Sequence, residues 1–166
     1  MGNIQEERRA LIIQACKKLL DEVESTTKDF MEMGQPLASD GFDTIHTRLL
    51  FLTSVERDLS YLYRQVRDLR RQTEISLSQA KSDLADAKME AAERPTFKSI
   101  TSFDSRPIVE ARLRSLSIEH EYNVVSWENT LRDVLYAQDV VYSFQQDAQK
   151  ERRDIDTRLK ILGMQY

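Results

Sequence analysis

Leu52–Leu69 reads LTSVERDLSYLYRQVRDL, and its apolar residues return at alternating intervals of three and four. Leu52, Val55, Leu59, Leu62, Val66 and Leu69 therefore share one helix face, the a/d seam of a coiled coil. No glycine or proline interrupts the chain between Gly41 and Pro95, so the seam predicts one helix over about 43–92. At Thr73 and Ser76 the seam turns polar. It resumes at Leu77, Ala80, Leu84, Ala87 and Ala91, displaced by four residues, which is the spacing of a stutter that locally unwinds a supercoil.

Glycine and proline mark two breaks on either side. Met33–Asp43 carries Gly34, Pro36 and Gly41, and the stretch from Glu93 onward is bounded by Pro95 and Pro107, which predicts a loop over about 93–106. Before the first break, a helix is expected over about 3–33, with Ile4, Leu11, Ile12, Ala15, Leu19, Leu20 and Val23 on one broad face. After the second, a helix is expected from about 107 to 162. Pro107 suits a first helical position, Asp104 or Ser105 a cap, and Gly163 a C-terminal stop. Its stripe runs through Val124, Trp127, Leu131, Val134, Val141, Ala148, Ile155, Leu159 and Leu162, with Gln138, Gln145 and Arg152 as polar exceptions. RSLSIEHEYN is its weakest point, where a break near 115–122 is allowed.

These elements predict one all-α domain over residues 1–166: a long antiparallel helical hairpin or coiled coil with an additional N-terminal helix. A two-helix hairpin has too little interior to bury its own stripes, and self-association is the usual remedy. Homo-oligomerisation is therefore expected, through Leu52, Val55, Leu59, Leu62, Val66 and Leu69 on one helix. Trp127 and Leu131 on the other belong to either the core or the subunit contact.

The composition narrows the function. Of 166 residues, 31% are charged and 40% apolar, with a formal net charge of −4. No global positive field would draw in nucleic acid or an anionic membrane, so such binding needs a local patch. Cys16 is the lone cysteine and lies among apolar residues, which predicts a buried, inert thiol and fits a reducing cytoplasm. MGNIQEERR has no signal-like apolar core and lacks the serine or threonine of a myristoylation site, and no run approaches a membrane span. A cytoplasmic protein that engages no membrane is expected. His46 and His120 have no second histidine at helical spacing, and no phosphate-loop, nucleotide-fold or nucleophile-elbow motif occurs, so no metal, cofactor or enzymatic activity is expected.

What remains is basic charge. From Thr47 to Gln72 six arginines stand against three acidic residues, whereas from Thr73 to Glu93 five acidic residues stand against two lysines. Arg57, Arg64 and Arg71 are spaced by seven and so form one line, with Arg67 and Arg70 beside it and Arg48 near the helix start. Arginine grips phosphate bidentately, and Tyr61 and Tyr63 could stack on unpaired bases. Arg94, Phe97, Lys98, Phe103 and Arg106 form a second aromatic-basic segment. The same arginines would equally serve as flank residues paired with carboxylates on neighbouring helices, or as a surface for an acidic protein.

IHTRLLFLTSVERDLSYLYRQVRDLRRQ resembles the first long helix of UvsY-type phage recombination mediators, which opens with an apolar-His-x-basic step, here Ile45, His46 and Arg48. YNVVSWENTLRDVLYAQDVVYSFQQDAQKERRDID is similar to that family's C-terminal helix, with its basic-x-x-Ile step at Arg152 and Ile155. The resemblance implies a ring-like homo-oligomer that binds single-stranded DNA and helps load a RecA-like recombinase onto strands covered by single-strand-binding protein, in the host cytoplasm for a phage protein. It assigns DNA contact to Arg57, Arg64, Arg67, Arg70 and Arg71, and assembly to Val134, Leu135, Val141, Phe144 and Ile155. A structural or adaptor coiled-coil protein of a larger assembly, or a phage inhibitor of a host factor, remains the alternative without a nucleic-acid role.

Overall fold

The computed structural model describes residues 2–32 and 41–163, and these are almost wholly helical. Five helices follow in order: α1 Gly2–Glu32, α2 Phe42–Glu93, α3 Pro95–Thr101, α4 Arg106–Leu116 and α5 Ile118–Gly163. Most of the first break, residues 33–40, and the end of the first expected helix at Met33 lie outside the described residues.

α2 and α5 form an antiparallel hairpin, and α2, with 52 residues, is about 78 Å long at 1.5 Å per residue. Cross-links fix the direction: as α2 numbers fall, α5 numbers rise. Lys88 meets Glu121 at 2.9 Å, Lys81 meets Glu128 at 3.1 Å, and Arg152 meets Glu56 at 2.6 Å. Between them Gln138 Nε2 donates to Tyr63 Oη at 3.3 Å, and Gln145 Nε2 donates to Ser60 Oγ at 3.1 Å. The polar exceptions in the α5 stripe are thus the rungs that hold the register. A one-turn slip would separate all of them at once.

α1 lies along the hairpin, parallel to α5. Trp127 Nε1 donates to Gln5 Oε1 at 3.2 Å near its start, and Arg48 Nη2 donates to the Phe30 carbonyl at 3.2 Å near its end. Ile12, Cys16, Leu19, Val23 and Thr27, one per turn, form its buried face. Ile4 and Leu11 point to solvent instead, so the face is narrower than the sequence suggests and takes in Cys16 and Thr27. Among the described residues the ion pairs that cross the bundle join α2 to α5; α1 is held chiefly by its apolar stripe.

This third helix changes the role of the seam. Leu52, Val55, Leu59, Leu62, Val66, Trp127, Val134, Val141 and Ile155 are all buried within one chain, with Leu69 and Phe144 packed against them and Leu131 and Leu135 half-buried. The residues expected at a subunit contact therefore build the intrachain core, because α1 covers the hairpin. The buried line of α2 also runs straight through Thr73 and Ser76. Their hydroxyls are satisfied by the carbonyls of Leu69 (2.8 Å) and Gln72 (3.0 Å), the i−4 positions.

The expected loop over 93–106 contains a short helix, α3, whose Phe97 is buried. Pro95 opens it, since a proline tolerated at a first turn starts a helix as readily as it ends one. The helix expected over about 107–162 is divided within the stretch where a break is allowed, at Ser117, where φ/ψ is −113°/18° and the buried hydroxyl donates to the Leu113 carbonyl at 2.9 Å. Ser105 caps α4 by position, but its side chain makes no capping hydrogen bond.

Arg48 and Glu151, near the start of α2 and late in α5, are both buried and joined Nε to Oε1 at 2.8 Å. Breaking such a pair leaves one charge unpaired in the interior, at a cost of about 3–5 kcal/mol, whereas replacing both by apolar residues is near neutral. Arg48→Leu is expected to lose that much stability in urea unfolding, and Arg48→Leu/Glu151→Leu to regain most of it. A double variant no more stable than the single would show that the pair is not the source of the loss.

Candidate nucleic-acid interface

The side of α2 facing away from the core carries the arginines. Arg57, Arg64, Arg67 and Arg71 are exposed and Arg70 is half-exposed, all within four turns of helix. The reason is register: with Leu59, Leu62, Val66 and Leu69 turned inward, positions 57, 64 and 71 fall diametrically opposite at 100° per residue.

Among the described residues Arg64, Arg67 and Arg71 make no ion pair or hydrogen bond through their side chains. Arg57 is loosely held by Asp58 at 3.5 Å and Ser54 at 3.4 Å, both on its own helix. Arg70 is engaged more firmly, with Nε on Glu74 Oε1 at 2.7 Å and Nη1 on Gln138 Oε1 at 3.4 Å. Neighbouring helices therefore do not neutralise this line within the chain. Arg64, Arg67, Arg70 and Arg71, with Asp68, Glu74 and Gln138, surround a shallow cleft of about 530 Å³ between α2 and α5. Its lining carries four guanidinium groups against two carboxylates.

Tyr61 is 60% exposed one turn before Arg64, so its ring is free to stack. Tyr63 is not a platform: it receives the Gln138 hydrogen bond and packs against Tyr142, ring centroids 6.1 Å apart. Arg57, Asp58 and Tyr61 also border a cleft of about 450 Å³ shared with Glu22, Ser25 and Thr26 of α1.

Arg48 has to be withdrawn from the binding set. It is 5% exposed, bound to Glu151, and its guanidinium lies over the rings of Phe30 (5.3 Å) and Phe51 (5.4 Å). The sequence held the signal. Ile45, Arg48 and Leu52 continue the three-four seam backwards, and Ala148, Glu151 and Ile155 do the same on α5, so opposite charges occupy facing seam positions. The Arg48 Nη1 is buried without a hydrogen-bond partner, and the residue borders a cleft of about 340 Å³ with Asp147, Lys150 and Asp154.

Lys98 is exposed on α3, beyond the C-terminal end of α2. At 1.5 Å per residue, the 22 residues from Arg71 to Glu93 alone span about 33 Å. The structure does not bring Lys98 to the arginine line. Around it Arg94, Arg106 and Arg112 pair with Glu90, Glu110 and Asp104, and Phe103 is fully exposed.

His46 is exposed and stacks on Phe42 with centroids 5.9 Å apart; His120 is exposed on α5. Among the described residues no group of three or more His, Cys, Asp or Glu is placed to hold a metal ion, and no helix is long and apolar enough to cross a membrane. No protein-family model matches the chain, and no curated protein or solved structure is significantly similar to it.

Cys16 is buried against α5, its Sγ 3.7 Å from the Asp133 carbonyl. Burial pushes the thiol up from its ordinary value, and the Asp133 charge adds to the effect. The thiolate is the reactive form, so the folded protein at pH 8 is expected to react with a disulfide reagent at least about tenfold more slowly than the urea-unfolded chain. Equal rates would mean that α1 does not shield this position.

Proposed function

We propose that this chain is a non-enzymatic, self-associating helical protein that binds single-stranded DNA through the α2 arginine line and serves as a recombination mediator, helping a RecA-like recombinase load onto strands covered by single-strand-binding protein. The observation that carries the binding is the row Arg57, Arg64, Arg67 and Arg71: exposed, in register, and unmatched by carboxylates on neighbouring helices. Guanidinium groups one and two turns apart, about 5 and 10 Å, suit the spacing of successive phosphates on an extended strand. Tyr61 beside them offers a face for a base. The recombinase-loading role rests on the resemblance of α2 and α5 to the UvsY-type helices.

A second reading is favoured by one observation, the charge reversal along α2. A basic first half and an acidic second half are also what a helix needs to pair with another charged helix, as an adaptor in an assembly would.

Fluorescence anisotropy with a labelled oligonucleotide at two ionic strengths separates the two. Binding through several arginines is expected to weaken steeply with salt, and Arg64→Ala/Arg67→Ala/Arg71→Ala to weaken it by at least about tenfold while lowering the salt slope by about two to three. No binding at low salt would leave the adaptor reading.

A further inference from the structure

The outward face of α2 has an internal symmetry that neither the core nor DNA binding requires. Ile75 sits on that face, 55% exposed, at the junction of the basic and acidic halves. Eleven residues before it is Arg64 and eleven after it is Asp86; eighteen before it is Arg57 and eighteen after it is Glu93. Tyr61 and Met89, 60% and 61% exposed, lie fourteen residues to either side. At 100° per residue Arg57, Arg64, Ile75, Asp86 and Glu93 fall within about 40° of one line, and all five are exposed.

We propose that this face binds a second copy of the chain: two α2 helices pack antiparallel about a two-fold axis at Ile75, so that each copy's Asp86 and Glu93 occupy the other's Arg64 and Arg57. An isologous contact needs a patch complementary to itself, and the charge order along α2 meets that condition. Arg57 faces Glu93, Arg64 faces Asp86, Tyr61 faces Met89, and Ile75 packs on its own symmetry mate. Asp68 falls opposite Ser82, so no like charges meet. The intrachain seam is already covered by α1, which leaves this as a face through which the hairpin can still associate.

The inference rests on the DNA-binding reading in one respect and adds regulation to it. The acidic half of the second copy occupies the same guanidinium groups that a phosphate chain would, so self-association and DNA binding compete. With few apolar residues at its centre the contact is weak and salt-sensitive.

Sedimentation velocity without DNA tests the pairing. Wild type is expected to dimerise at low ionic strength and to dissociate at high. Arg57→Glu/Arg64→Glu and Asp86→Arg/Glu93→Arg are each expected to lower the association constant at least about tenfold, and the quadruple variant to restore it. All four positions are exposed, and unchanged helical circular dichroism confirms that the variants fold. A monomeric wild type, unaffected double variants, or a quadruple variant that fails to recover overturns the proposal. Adding a short oligonucleotide to the wild-type dimer is then expected to split it into DNA-bound single chains. A DNA complex that keeps the charge-paired dimer overturns the competition, whereas charge-swap rescue without DNA binding upholds the pairing and removes the DNA reading alone.

Discussion

The alignment of α2 against α5 is the constraint on which the remaining structure depends, and charged and polar side chains set it rather than the apolar seam. A Leu/Val/Ala seam is nearly indifferent to a shift of one heptad. The Arg48–Glu151 pair is not, because a slip would leave both charges buried without partners. Glu56–Arg152, Ser60–Gln145, Tyr63–Gln138 and Lys88–Glu121 repeat the condition along the hairpin. The apolar seam, which stays inward whatever the alignment, leaves positions 57, 64 and 71 facing solvent, and the polar pairs decide which residues of α5 lie beside them.

Much of this was legible in the sequence. The three-four spacing of Leu52–Leu69 placed α2 within a residue or two at each end, since no glycine or proline competed with it. The stripe Val124–Ile155 placed the inward face of α5 equally well. The destination of the stripes was not legible. Periodicity says which face is apolar and is silent on whether a helix of the same chain or of another covers it, so residues such as Val66 and Trp127 pointed to self-association but pack in the chain's own core. α1 hid its role because its buried line, Ile12–Cys16–Leu19–Val23–Thr27, mixes a thiol and a hydroxyl with aliphatic residues, while Ile4 and Leu11 advertise a face that is exposed.

Arg48 shows the same difficulty from the other side. Counted with its neighbours it enlarged a basic patch; placed by spacing it belonged to the seam. Its partner lies 103 residues away, and no local window contains both. The arginine line itself survives this correction, because Arg57, Arg64, Arg67 and Arg71 are defined by the face they share and not by their number.

The uneven way in which the helices are fastened has a further consequence. α2 and α5 are stitched by ion pairs and amide hydrogen bonds over most of their length, while α1 rests on one buried residue per turn and is flanked by clefts of about 530 and 250 Å³ against α5. Native proteins open in units, the least cross-linked first. The bundle is therefore a two-tier object: a hairpin cross-linked along most of its length, and a covering helix whose backbone amides are expected to exchange with solvent in a smaller, separate event. Its undocking would bare Trp127 and Val134 transiently while the arginine line stayed in place.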